Sequence, residues 1–457
     1  MRPGRTSVGR PWRWPVSLPM SSPRWPGRTW RHCGSSWGTC WKGPPAGGVP
    51  EGPAWGPPLP PGSKAMAPRI AYVITTFLRN VNYTRLMALA RDQRARGREV
   101  EIITGRNASP ELMEEACSQG IAVTPLPSLG KYIYPYQDAL ALRELVRLYR
   151  ARKFDLVHTF LAKAGILGRL AGRLAGVPRL VHSVFGASFA PTQPALQYVV
   201  YRNLERLMGR VTDRFLFVGR ELRDTYVAAG VCPPSRALVV YGGRDLSRFC
   251  ELASLPAAER LARREAFGFR EDTIVLGNVS RLVPWKGHGY ALQVVRGLRD
   301  KGLDVRLIVV GDAKTPAEQK FKHELLARVR REKLEEAVIF TGWQPDPAPY
   351  YALFDLYLLT SMPFEGIPGS IIEATIMGVP VVGFDCCGVR EIPGVRCRLV
   401  PPRETASLTA AVAEETAHLP ASRGRWGGAR PEIEQIRERF SLAGMVARTT
   451  SVYETLI

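Results

Sequence analysis

The chain has 457 residues, 45% of them hydrophobic, and a formal net charge of +22 from 63 Lys and Arg against 41 Asp and Glu. That length and apolar content suffice for two or three packed domains and exclude a wholly disordered or fibrous chain. The eight cysteines form no CxxC pair and no Cys/His cluster, which argues against zinc ligands or a disulfide framework, and no apolar run reaches the ~18 residues of a membrane span.

Residues 1–65 stand apart. They hold seven of the ten tryptophans and a single acid, Glu51, among many Pro and Gly. No helix or strand period runs through them, so a disordered leader is expected. It reads either as a Trp/Arg arm that adsorbs to membranes or as translated upstream sequence ahead of a start at Met66, where Met66-Ala67-Pro68-Arg69 leads directly into an apolar strand.

From Met66 strands and helices alternate, which predicts parallel sheets covered on both faces. Strands are expected over 70–75, 100–104, 154–158, 180–184, 214–218 and 238–241, with a helix over 83–96 ended by Gly97. His158 is placed at a strand end facing the ligand side. Gly242-Gly243-Arg244-Asp245 reads as a hinge, and a second α/β unit starts near Thr273. The domains are therefore 66–245 and 246–457. Ligands of open α/β sheets sit beyond the strands' carboxyl ends, here in the cleft between the two units.

In the second unit, Gly277-Asn278-Val279-Ser280-Arg281-Leu282-Val283-Pro284-Trp285-Lys286-Gly287 is a strand running into a loop with two cations five residues apart. Arg281 as a planar fork and Lys286 as a point charge suit one diphosphate, although either cation alone reads equally well as a solvated surface residue. Further on, an apolar run, Tyr351 to Leu359, stops in Thr360-Ser361-Met362-Pro363-Phe364-Glu365-Gly366-Ile367-Pro368-Gly369-Ser370, and a helix follows through Glu373. Such a strand-loop-helix leaves first-turn N–H groups aimed at the loop, where they can hold an anion that glycine lets approach closely. Glu365 in the loop and Glu373 in the helix flank that cradle. Phosphate at one end and hydroxyls elsewhere describe a nucleotide-sugar, though an E-x7-E spacing alone also occurs by chance.

Together these segments resemble the retaining nucleotide-sugar glycosyltransferases of family four, which have the GT-B fold of two Rossmann-like domains facing each other across a cleft. The resemblance runs from about Met66 to the C-terminus and includes Val309-Val310-Gly311-Asp312, Val338 to Trp343, Gly378 to Gly383 and Gly388-Val389-Arg390-Glu391. In the first half, Lys163 to Ala171 and Gly176-Val177-Pro178 are similar as well, and the resemblance implies that the last helix, Leu442–Leu456, crosses back to the first domain. The resemblance implies transfer of a hexose-type sugar with retention to a lipid-linked or polysaccharide acceptor in envelope glycan synthesis, without metal or cofactor. It implies catalytic roles for Glu365, Arg281 and Lys286, with the β-phosphate's developing charge stabilised by the two cations and the loop N–H groups. Donor binding falls to Glu373 (ribose) and to Gly366, Ile367, Pro368, Gly369 and Ser370. His158, Lys163, Phe185 and Gly186 are candidate acceptor or sugar contacts.

Three positions depart from the pattern. Phe185 stands where relatives often carry a histidine before glycine, with His182 three residues earlier; Phe77-Leu78-Arg79-Asn80 replaces a glycine pair; and Cys387 replaces a glycine before Gly388. Phe185 motivates the alternative of a non-catalytic GT-B protein that binds nucleotide or glycan. Charge is also uneven: nine basic residues against one acid in 1–65, 26 against 14 in 66–245, and 28 against 26 in 246–457. Arg143, Arg147, Arg150, Arg152 and Lys153 fall along one helix of the basic first domain. Adhesion to an anionic membrane surface, on the cytoplasmic side, accounts for this better than nucleic acid, since no RNP-like or helix-turn-helix signature is present.

Overall fold

The computed structural model describes residues 67–190, 193–362, 366–386, 388–417, 419 and 431–457. The leader 1–65, Glu365 and Cys387 lie outside the described residues.

The first domain runs β1 (Arg69–Phe77), α1 (Val81–Ala95), β2 (Glu99–Ala108), α2 (Pro110–Ser118), β3 (Ala122–Leu126), α3 (Pro135–Arg152), β4 (Leu156–Phe160) and α4 (Ala162–Ala175). It continues through β5 (Arg179–Val184), α5 (Ala195–Gly209), β6 (Arg214–Phe217), α6 (Arg220–Ala228) and β7 (Ala237–Val239). All seven strands are parallel, in the order β3-β2-β1-β4-β5-β6-β7. The central strands read as nearly continuous apolar runs because helices cover both faces of the sheet. β3 is the strand that periodicity misses: it contains Pro125, which a sheet tolerates at its edge, and β3 is the edge. The α1 helix starts where the Asn80 side chain accepts from the N–H groups of Asn82 and Tyr83.

The second domain opens with α7 (Ser247–Ala253) and α8 (Ala257–Ala266), then β8 (Ile274–Val279), α9 (His288–Arg299), β9 (Val305–Val310), α10 (Pro316–Arg331) and β10 (Val338–Gly342). It proceeds through α11 (Ala348–Tyr351), β11 (Leu356–Leu359), α12 (Gly369–Met377), β12 (Val381–Phe384), β13 (Cys397–Val400), α13 (Thr405–Ala417) and α14 (Pro431–Phe440). Its six parallel strands follow the order β10-β9-β8-β11-β12-β13. The apolar run expected as one strand over 351–359 is divided: Tyr351 ends α11, and only 356–359 is strand. Buried Asp355 separates them, accepting from the Val275 N–H at 2.7 Å and from Arg264 at 3.1 Å. The two Rossmann-like domains expected from the sequence are thus present.

The final helix, α15 (Leu442–Glu454), packs on α1 of the first domain. Met445, Val452 and Tyr453 enter that domain's core, and Gln93 of α1 donates to Thr450 at 2.7 Å. The chain therefore crosses between domains twice, and the two crossings are paired. Arg244 N–H donates to Phe440 O at 2.9 Å and Leu442 N–H to Arg244 O at 3.1 Å. A Cβ on Gly243 would lie 2.7 Å from the Leu442 backbone, so the close approach requires glycine.

Candidate active site

Two loops at the carboxyl ends of β8 and β11 are stapled side by side. Thr360 Oγ1 donates to Lys286 O at 2.8 Å, and Met362 N–H donates to Trp285 O at 2.8 Å. Gly287, at φ +69°, lies so close that a Cβ there would fall 2.1 Å from Thr360 O. The structure thereby brings the Arg281/Lys286 loop against the start of the loop leading to α12. Arg281 is held between the Glu318 carboxylate, 3.3 Å away, and the Trp285 ring, whose centroid is 5.7 Å from its guanidinium carbon.

Among the described residues no side chain caps the first turn of α12, whose N-cap is Pro368; Ile371 N–H donates to Pro368 O at 3.0 Å, which leaves the Gly369 and Ser370 N–H groups for a ligand. Glu373, in the second turn, is nearly buried. One of its oxygens accepts from Arg244 at 2.6 Å and the other from the Tyr351 hydroxyl at 2.7 Å. Burial, with the Glu373 charge beside it, raises the Tyr351 pKa far above its ordinary value, so this hydroxyl stays a donor. Arg244 also approaches the α12 start, where a Cβ on Gly369 would overlap its guanidinium.

The α12 loop reaches across to the first domain. A Cβ on Gly366 would lie 2.5 Å from Val218 and 2.9 Å from Phe185 O, and one on Gly388 would meet Ile367 at 2.6 Å. A reciprocal clasp lies beside it. Glu391 accepts from the N–H groups of Arg220 and Glu221 at 2.7 and 3.0 Å, capping α6, while Glu221 accepts from Gly388 N–H at 2.8 Å. The Tyr241 hydroxyl donates to Glu391 at 3.1 Å as well.

On the first domain, a cavity of about 270 Å³ sits at the ends of β4 and β5, lined by Leu161, Ser183, Phe185, Gly186, Ser188 and Tyr226 among others. The structure thus brings the candidates Phe185 and Gly186 together on one cavity wall. Leu161 adopts φ 68°, ψ 156°, a conformation a β-branched or γ-branched side chain rarely takes, and such strain concentrates at functional sites. Arg85 of α1 places its guanidinium carbon 5.2 Å from the Phe185 ring centroid and donates to Gly243 O at 3.1 Å. Desolvation, and secondarily the Arg244 charge, pull its pKa down to about 9.

Two expected contacts belong elsewhere. His158 is not at a strand end: β4 continues to Phe160, and the ring is fully buried against Tyr453 and against Ser183 Oγ at 2.8 Å. Burial depresses its pKa to about 3, so it is neutral at pH 7. Lys163 pairs with Asp138 at 2.5 Å and donates to Tyr132 O, bracing α4 against the loop before α3. His182 is likewise buried, hydrogen-bonded to Thr159. Arg85, Arg244, Tyr351, Glu221 and Glu391 are the site residues that spacing arguments miss. Only the Gly388 to Glu391 segment carried a signal, and it pointed to the loop, not to its clasp. Among the described residues, no group of three or more His, Cys, Asp or Glu side chains could hold a metal ion.

Comparison with known proteins agrees with this fold. The family model described as "Glycosyl transferases group 1" matches residues 273–416, and "Glycosyl transferase 4-like domain" matches 83–243. The UDP-Gal:alpha-D-GlcNAc-diphosphoundecaprenol alpha-1,3-galactosyltransferase of Escherichia coli is 30% identical over 60% of this chain and 67% of its own. The 2-deoxystreptamine glucosyltransferase of Streptomyces kanamyceticus is 32% identical over 60% of this chain and 71% of its own. In fold, the chain is similar to the crystal structure of Anabaena Alr3699/HepE in complex with UDP, with a TM-score of 0.65, 22% identity, and 85% and 100% of the two chains covered.

Proposed function

The chain belongs to the group 1 glycosyltransferases of GT-B fold, and from that membership we propose that it moves a hexose, with retention and without a metal, from a uridine diphosphate donor to a lipid-linked glycan at an anionic membrane surface. The observation that carries the reading is the pair of stapled loops, one bearing Arg281 and Lys286 and the other leading to α12, where Gly366 comes up against Phe185 of the first-domain cavity. The choice of uridine is supported by the donor in the Escherichia coli relative's name and by the UDP in the Anabaena structure.

In this reading the diphosphate lies across the α12 N-terminus, and the two cations and the backbone N–H groups stabilise the charge gathering on the leaving β-phosphate oxygen. Glu373 accepts hydrogen bonds from the ribose hydroxyls, held in place by Tyr351 and Arg244. Glu365 meets the hydroxyls of the transferred sugar. The acceptor hydroxyl approaches from the cavity beside Phe185 and Gly186. A diphospholipid-linked glycan acceptor is supported by the Escherichia coli relative, and the excess of base over acid in residues 66–245 supports approach to an anionic bilayer.

A second reading, nucleotide binding without transfer, is favoured by Phe185, an apolar ring where a polar group near the sugar would be expected. Calorimetry with UDP, GDP and ADP on the wild type and Lys286→Ala, followed by transfer of labelled sugar from UDP-hexoses to membrane lipids, separates the two. Binding of UDP that is lost in the variant, together with transfer, establishes the first reading. Binding without transfer to any lipid acceptor establishes the second. No nucleotide binding by folded protein refutes both.

A further inference from the structure

The α5 helix is built inside out for a helix on a soluble surface. Leu196, Val199, Val200, Leu204 and Leu207 recur at spacings of three, four and eight, which places them on one face. That face is turned outward: Leu196 is 78% exposed and Leu207 50%, with the other three each more than a third exposed. The helix's one acid, Glu205, is instead buried, in an ion pair with Arg169 of α4 at 2.8 Å. Single exposed leucines need no explanation, but a continuous stripe of five marks an interaction site.

The stripe lies in a layer of three helices on one face of the first sheet. Arg150 of α3 donates to Leu174 O of α4 at 2.9 Å, and the Arg169–Glu205 pair joins α4 to α5. Exposed on this layer are Arg147, Arg150, Arg173, Arg206 and Arg210. The three helices hold only three acids, and each is engaged: Asp138 with Lys163, Glu144 with the Ser128 hydroxyl, and Glu205 with Arg169. At the N-terminal end of the layer, Tyr132, Ile133, Tyr134 and Tyr136 are all more than half exposed. Amphipathic aromatic rings of this kind partition to the boundary between lipid and water.

We propose that α5 is a membrane-docking helix, its apolar stripe entering the headgroup–acyl boundary of an anionic bilayer while the arginines of the α3–α4–α5 layer contact lipid phosphates. This rests on the membrane reading above and assigns it to a surface. A second copy of the chain is the poorer occupant, because facing arginine rows would repel one another. Glu205 of α5 lines the same cavity as Phe185, Gly186 and Ser188, so the cavity adjoins the docking helix.

The test is co-sedimentation of the full chain with vesicles of phosphatidylcholine and with equimolar phosphatidylcholine–phosphatidylglycerol. Compared with it are Leu196→Gln/Val200→Gln/Leu204→Gln/Leu207→Gln and, separately, Arg206→Ser/Arg210→Ser, each checked for an unchanged melting temperature. Wild type is expected to bind the mixed vesicles and not the neutral ones. The glutamine variant should lose about tenfold or more in partition. The serine variant should bind more weakly and with a flatter salt dependence. If the glutamine variant binds mixed vesicles like wild type, the α5 assignment is wrong while membrane adhesion stands. If wild type binds neither vesicle, both fall. A wild-type dimer in sedimentation velocity that the glutamine variant makes monomeric overturns the proposal in favour of self-association.

Discussion

Replacing Glu373 with Gln tests structure and chemistry at one atom pair. The carboxylate is 9% exposed and accepts two bonds, from Arg244 at 2.6 Å and Tyr351 at 2.7 Å. Hydrogen bonds to charged groups contribute about 1.5–3 kcal/mol, and because the Arg244 side chain keeps 20% of its surface in water the lower part of that range applies. A glutamine amide presents one acceptor where two donors converge, so one bond of about 1 kcal/mol is lost besides. The total, about 2–3 kcal/mol, should lower the melting temperature of the second domain by about 5–10 °C. Adding Arg244→Met removes the orphaned cation and should recover about 1–2 kcal/mol, a coupling read from a double-mutant cycle. Nucleotide affinity behaves differently: Glu373→Gln should weaken UDP binding about tenfold, and Arg244→Met should not restore it. A change in stability below about 0.5 kcal/mol would show that the pair does not hold the domains. A large fall in stability with unchanged UDP affinity would remove Glu373 from the donor site.

Gly287→Ala forces a Cβ within 2.1 Å of Thr360 O at a positive φ and should separate the two stapled loops. A loss of about 1–3 kcal/mol and about tenfold weaker UDP binding are expected from denaturation and calorimetry. Glu391→Ala uncaps α6 and should cost about 1–2 kcal/mol, visible as a larger radius of gyration in solution scattering if the clasp holds the domains together. His158 and His288, both buried with pKa values depressed to about 3, are neutral in the fold and titrate near their ordinary value once unfolded. Below pH 6.5 the unfolded chain binds the protons and the fold does not. Stability is therefore full above that pH and falls by about 1.4 kcal/mol per unit for each histidine down to about pH 3. Denaturant midpoints from pH 7 to 4 should show this slope, to which His182, its pKa also lowered by burial, adds, and His158→Gln should reduce it by one histidine.

The strands at the centre of each sheet were legible in the sequence because burial on both faces writes an uninterrupted apolar run. The edge strand 122–126 is hidden by Pro125, and the run from Tyr351 reads as one strand because Asp355, an acid inside it, finds partners far along the chain. At the site, the segments with glycine at sharp turns were visible: Gly287 and Gly366 to Gly369 mark the two loops. What could not be read were the cross-domain partners. Arg244 sat in a segment that reads as a hinge, and nothing local shows that its guanidinium meets Glu373. His158 shows the opposite failure. Its place near a strand's end suggested access to the ligand, yet two more residues of strand and a tyrosine from the final helix enclose it.

Tyr453 is delivered to a sheet whose last strand ended at Val239, and with Met445 and Val452 it completes the first domain's core. During synthesis the first domain thus emerges early with part of one sheet face uncovered, the part that α1 and α2 do not reach. It must wait while the whole second domain is made before α15 arrives. The domain made first is finished last, and that open face is where a nascent chain would meet chaperones. The second domain takes none of its core from α15, so it can close earlier, and its completion carries α15 back through the paired crossing at Arg244 and Leu442.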